Sequence, residues 1–156
     1  MNTEIKQYAN DIFASYEELK ITWNYDNTEV TIHKANSNGF DVIVTMDELD
    51  VYILTDCGYH DHWRLTEFKN NNEALESIFG LVRDLLSENM QIKVMLSNKS
   101  PFRWILQFKE ESQWMDESTT GLLFWNYFGR RREEVYKNQH LIPREMYYEK
   151  HIKKEE

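Results

Sequence analysis

The spacing of apolar residues in this chain switches repeatedly between a helical period and a period of two, and that alternation limits the possible folds more than any other feature. Leu75, Ile78, Phe79, Val82, Leu85 and Leu86 fall on one helical stripe, with Glu76, Arg83, Asp84 and Glu88 away from it. Asn70 followed by Glu73 has the spacing of a capping box, and Asn89 is a natural stop. Ile5, Tyr8, Ala9, Ile12, Phe13 and Tyr16 make a second stripe, which predicts a helix over residues 3–18 with Thr3 as its N-cap.

Between and after these helices the period is two. Ile21, Trp23 and Tyr25 alternate with Thr22 and Asn24, which predicts a strand, and Asp26-Asn27 turns the chain into a second strand over 29–34. Asn36-Ser37-Asn38-Gly39 turns it again into 41–46. Val51, Tyr52, Ile53 and Leu54 are apolar on both faces, so the strand over 51–55 is expected to be central and covered on both sides. A fifth strand is expected over 63–68. Past the second helix, Met90, Ile92, Val94 and Leu96 alternate with Gln91, Lys93 and Met95, and the turn at 97–101 leads into a returning strand over 102–109. Gln113 to Met115 continues the meander, Gly121 to Phe128 reads as a buried strand, and Arg130 to Leu141 as an edge strand or short helix.

The order helix, strands, helix, strands predicts an α+β fold: two amphipathic helices packed on a mostly antiparallel sheet. At 156 residues, with no Pro/Gly/Ser-rich linker, residues 1–143 are expected to form a single domain. Residues 144–156 form a charged C-terminal tail, with Met146, Tyr147 and Ile152 as docking points.

Cys57 is the only cysteine, so an intrachain disulfide and a four-cysteine zinc site are excluded. The first twenty residues include Glu4, Lys6, Asp11, Glu17 and Glu18 and lack the pattern of a signal peptide, and the uncharged stretch 118–129 is too short to span a bilayer. The expectation is a cytoplasmic protein without membrane contact.

The densest group of reactive side chains is Asp56-Cys57-Gly58-Tyr59-His60-Asp61-His62. Cys57, His60 and His62 have spacings compatible with a metal, yet His33, His140 and His151 are isolated and no second ligand pair supports them. A semi-buried thiol beside solvated histidines explains the same residues. There is no Gly-x-Ser-x-Gly elbow and no Gly-rich phosphate loop, so neither catalytic residues nor a cofactor or metal are assigned. Arg130-Arg131-Arg132 follows the rings Phe124, Trp125, Tyr127 and Phe128, a pairing that can hold single-stranded nucleic acid. Glu133 and Glu134 follow at once, and a charged strand edge that resists sheet-to-sheet pairing accounts for the triplet better.

Charge distribution carries the functional reading. The net charge is −9, and residues 1–70 hold 13 acids against 5 bases. Asp41, Asp47, Glu48, Asp50, Asp56 and Asp61 lie in a stretch with no Lys or Arg, which repels phosphate backbones and attracts basic surfaces. The 22 aromatic residues exceed ordinary core needs, and Tyr52, Tyr59 and Trp63 lie among these acids as ring anchors. The expected role is therefore a non-catalytic domain that captures or neutralises a basic protein partner through Asp47, Glu48, Asp50, Tyr52, Asp56, Tyr59, Asp61 and Trp63, with no nucleic acid bound. Small immunity proteins and antitoxins are analogues in size, acidity and aromatic content only. Two alternatives stay open: a small-ligand protein or enzyme with a pocket near the 57–62 loop, and a homodimer formed through the 121–128 strand.

Overall fold

The computed structural model describes residues 2–13, 16, 19–121, 129–139 and 141. Among the described residues the chain is α+β, with two α-helices and nine strands in two antiparallel sheets. One expected sheet is thus two.

Helix α1 spans Asn2–Phe13. Beyond it the Tyr16 N–H bonds the Phe13 carbonyl and the Leu19 N–H bonds the Tyr16 carbonyl. Thr3 lies inside the helix rather than capping it. Residues 14, 15, 17 and 18 of the expected helix lie outside the described residues.

Five strands follow as a meander: β1 (Ile21–Trp23), β2 (Glu29–Ile32), β3 (Val42–Met46), β4 (Asp50–Thr55) and β5 (His60–Arg64). Each is antiparallel to the next. Val30, Ile32, Val42, Val44, Val51 and Ile53 face inward and are buried. β4 corrects an expectation. Tyr52 and Leu54 are 37% and 36% exposed, so this strand is covered on one face only. The expected fifth strand is present but lies earlier: β5 starts at His60, within the segment expected to be a loop, and of the expected 63–68 it holds only Trp63 and Arg64, with a 3-10 turn (Leu65–Glu67) after it.

Helix α2 (Asn71–Leu85) follows its pattern closely, with Leu75, Ile78, Phe79, Val82, Leu85 and the C-cap Leu86 all buried. Asn70 caps it by accepting the Glu73 N–H at 3.0 Å. The Glu73 carboxylate accepts from the Lys69 N–H at 3.0 Å, one residue beyond the usual capping-box return to the N-cap N–H. Tyr8 and Phe13 of α1 pack their rings on Phe79, with centroids 5.6 and 6.0 Å away.

The second sheet holds β6 (Met90–Ser97), β7 (Ser100–Glu110), β8 (Gln113–Gly121) and β9 (Arg131–Tyr136), in the spatial order β8-β7-β6-β9. Three hairpin-linked strands and a fourth returning beside the first is Greek-key order. Residues 122–128 of the expected buried strand, and the tail 144–156 with Met146, Tyr147 and Ile152, lie outside the described residues.

One buried cluster joins the inner faces of both sheets to α1 and α2. At its margin Asn138, wholly buried, accepts the Phe40 N–H at 3.1 Å and donates to the carbonyls of Phe40 (3.0 Å) and Leu85 (3.2 Å). Gly39 is required beside it, because a Cβ there would lie 2.5 Å from Asn138 Oδ1 and 2.7 Å from Asn36 Oδ1. Asn138→Ala leaves buried polar groups on two elements unpaired, and is expected to lower the unfolding free energy by about 3 kcal/mol in urea titration. The exposed Thr119→Ala should change it by less than about 0.5 kcal/mol.

Candidate functional site

An antiparallel meander puts alternate turns at the same end, and this sorts the acids of the first sheet into two groups. The turns at 33–41 and 55–59 form one end, which is bonded to the second sheet. Asn36 Nδ2 donates to the Lys137 carbonyl at 3.0 Å, and Trp104 Nε1 donates to the Cys57 carbonyl at 2.7 Å. The Tyr59 hydroxyl lies 3.2 Å from Ser118 Oγ. Gly58 has φ +97°, and its Cα hydrogens face the Trp104 ring where a Cβ would be only 3.0 Å away.

Acids at this docked end have structural roles. Asp41 accepts the Lys34 N–H at 2.9 Å and lies 3.3 Å from His33 Nδ1. Asp56 accepts the Asp41 N–H at 2.9 Å and an ion pair from Lys34 at 2.6 Å. Asp61 points to the inner side of the sheet, where its carboxylate receives the Tyr59 hydroxyl at 3.3 Å. Tyr59 itself is 1% exposed, so it presents no ring to a partner, and Trp63 is packed against the core. Burial above all pushes the Tyr59 hydroxyl pKa well up, so it stays protonated.

At the opposite, free end are the hairpin turn 24–28, the hairpin turn 47–49 and the 3-10 turn 65–67. Asp26, Asp47, Glu48 and Glu67 are all exposed there, with no ion-pair partner among the described residues. Between them stand Tyr25, 98% exposed, and Leu49, 56% exposed. Adjacent strands are about 4.8 Å apart, so the two hairpin tips sit side by side about 10 Å from each other. Asp50 is held by Arg64 at 3.4 Å, and Lys6 donates to Asn27 Oδ1 at 2.6 Å. Tyr52, stacked on His62 at 6.0 Å, extends the surface onto the outer face of the sheet together with Leu54.

Of the sequence-selected residues, Asp47, Glu48, Asp50 and Tyr52 thus come together near the free end, whereas Asp56, Tyr59 and Asp61 belong to the docked end. Trp63 lies inward. Tyr25, Asp26, Leu49 and Glu67 were not singled out, and counting strand reversals along the predicted meander was the signal that could have found them.

The reactive segment is dispersed by the same geometry. His60 and His62 are exposed on the outer face of β5, while the Cys57 thiol sits in the turn before it, 3.2 Å from Thr55 Oγ1. Burial raises the thiol pKa, which disfavours the nucleophilic thiolate. Among the described residues no group of three His, Cys, Asp or Glu is placed to hold a metal ion, and no helix is long and apolar enough to cross a membrane. Comparison with protein-family models, curated proteins and solved structures finds no match.

One acid stands apart from both groups. Asp84 of α2 is 4% exposed and its Oδ2 has no hydrogen-bond partner among the described residues. Burial raises its carboxyl pKa from 3.8 to about 7, Arg83 opposing and Glu117 adding to the shift. The folded state therefore holds a proton that the unfolded chain has released, so stability falls as pH rises from near 4 through 7 and is flat above. Asp84→Asn is expected to match the wild type near pH 4 and exceed it at pH 8 by on the order of 2 kcal/mol, read from urea titrations at the two pH values.

Proposed function

We propose that this chain is a non-catalytic binding protein that captures a basic protein partner at the free end of its five-stranded sheet. The observation that carries this reading is the set of four exposed carboxylates, Asp26, Asp47, Glu48 and Glu67, without an ion-pair partner among the described residues, around the protruding side chains of Tyr25 and Leu49. Carboxylates steer a basic surface into place, and an exposed ring with an aliphatic neighbour supplies the desolvated centre that holds it. Both kinds of group are needed, since rim charges alone contribute mainly to association rate.

Tyr52 and Leu54 widen the contact along the outer face, and Asp50 supports it through Arg64. Asp56, Tyr59, Asp61 and Trp63 hold the sheet in place instead of touching the partner. In this reading residues 1–143 act as one domain with 144–156 as a charged tail, and the single thiol Cys57 suits the cytoplasm. The acidic surface disfavours nucleic acid. A dedicated inhibitor of a basic enzyme, as immunity proteins and antitoxins are, would have this surface chemistry.

The test is affinity purification of the tagged chain from its native cells at low and moderate salt, beside an Asp47→Lys/Glu48→Lys variant and an Asp56→Asn variant. A stoichiometric basic protein should bind the wild type and Asp56→Asn and leave as salt rises. Its affinity for the double variant should fall at least tenfold, about 1.4 kcal/mol. A basic partner that binds all three alike would remove the free end from the reading.

A further inference from the structure

The only strongly basic surface among the described residues lies at the tip of the β6–β7 hairpin. Lys99 is in the turn, Arg103 follows on β7, and Arg130, Arg131 and Arg132 enter β9 alongside. The pairing Ser97↔Ser100 and Ser97↔Arg131 brings the three segments to one corner of the sheet. Asn98, with φ 60°, locks the arrangement: its N–H donates to the Arg130 carbonyl at 2.8 Å, and its Oδ1 accepts the Arg130 N–H at 3.1 Å. Lys99, Arg103, Arg130 and Arg132 make no ion pair with any described residue. Glu133 is the nearest acid along β9, and it is separated from Arg103 by Met95, so by two strand spacings or about 10 Å.

Among the described residues the corner lacks the open rings that hold a single-stranded nucleic acid. Its one described ring, Phe102, is buried and covered by the Arg131 guanidinium at 4.9 Å, so no described ring is open for a base to stack on. What the bases complement is the free end of the first sheet. That end cannot reach them within one chain: the first sheet meets the second through its other end, and the length of β3 or β4, about 17 Å, lies between.

We propose that the chain associates with itself head to tail, the Arg130, Arg131, Arg132 and Lys99 corner of one copy receiving the Asp26, Asp47 and Glu48 end of the next. Guanidinium groups take carboxylates through paired N–H bonds, and the Tyr25 ring offers a face to a further guanidinium. The contact joins two different surfaces, so it is heterologous and leaves an acidic end and a basic corner free at the two termini of every open assembly. Each copy carries net charge −9, so long-range repulsion opposes stacking at very low ionic strength. Near 0.1 M salt, where the screening length is about 10 Å, that repulsion is damped while contact pairs persist; near 1 M, at about 3 Å, the contact pairs weaken as well.

The proposal rests on the free end being a contact surface, and sedimentation velocity of the purified full chain separates the two claims. The wild type should show a weight-average mass that rises with concentration past the dimer at moderate salt and falls to the monomer in high salt. Arg130→Gln/Arg132→Gln and Asp47→Asn/Glu48→Gln, neutral so that the two altered surfaces do not complement each other, should each be monomeric alone. Mixed, they should form a one-to-one dimer and stop there, since one variant keeps a working acidic end and the other a working basic corner. A monomeric wild type at every concentration overturns the proposal, as does a dimer of either variant alone or a mixture that stays monomeric. The arginine variant keeps its acidic end, so it should still capture a basic partner; if it does while the wild type stays monomeric, only the self-association is wrong.

Discussion

Asn138 is the point on which the arrangement of the molecule depends. Its amide bonds Phe40 in both directions and also caps the Leu85 carbonyl, an acceptor that the helix end leaves unpaired. These partners are 98 and 53 residues away in sequence, so one buried side chain fixes the exit of β9 against the β2–β3 turn and the end of α2. Hydrophobic burial drives the two sheets and the helices together without specifying their relative pose. A buried amide with three directed bonds does specify it, because any shift leaves a donor or acceptor stranded away from water.

From that pose follows the division of the first sheet into a docked and a free end. Acids near the docked end were recruited into structure: Asp41 and Asp56 bridge successive turns, and Asp61 receives the Tyr59 hydroxyl. At the free end the described bond to another element runs from Lys6 of α1 to Asn27, and Asp26, Asp47, Glu48 and Glu67 stay exposed without an ion-pair partner among the described residues. Position along the meander thus decides which acids are drawn into structure. A formal charge on a strand-linking turn conveys nothing about function until the end to which the turn belongs is known.

The helix α2 and the inward row of β6 were legible in the sequence because a single period ran unbroken over enough residues to exclude the other element. Turns carried by Asn, such as Asn27 at φ 54° and Asn98 at φ 60°, were legible for the same local reason. Legibility failed where residues contradicted their type. The β7–β8 hairpin turns on Glu111 and Ser112, both at positive φ, and neither residue signals such a turn. β4 reads as doubly buried, but the second apolar face of Tyr52 and Leu54 is left open to solvent. Tyr59 looks like a surface anchor among acids, yet it is among the most deeply buried side chains; Ser118 meets its hydroxyl, and Trp104 bonds the nearby Cys57 carbonyl, from strands more than 40 residues away in sequence. The acids themselves were visible; their grouping was not, since it depends on strand direction and on which end the second sheet covers.

A net charge of −9 describes this molecule poorly, because Asp26, Asp47, Glu48 and Glu67 stand at the free end of the first sheet while Lys99, Arg103, Arg130, Arg131 and Arg132 share one corner of the second. A separated charge distribution makes approach orientation-dependent: a basic body is drawn to the free end, and a second copy is drawn there only when it presents its basic corner. Both would occupy the same carboxylates, so a partner and a second copy compete. If a fraction of free ends is taken up by other copies, the apparent affinity for the partner falls by that fraction, and partner binding in turn disperses the assemblies. The two modes differ in what they need from the corner. Self-association needs Arg130 and Arg132, whereas capture of a basic partner is indifferent to them or is aided by their repulsion, which orients the partner away from that side. Under the two proposals, one surface would answer to the concentration of the chain itself as well as to that of a basic partner.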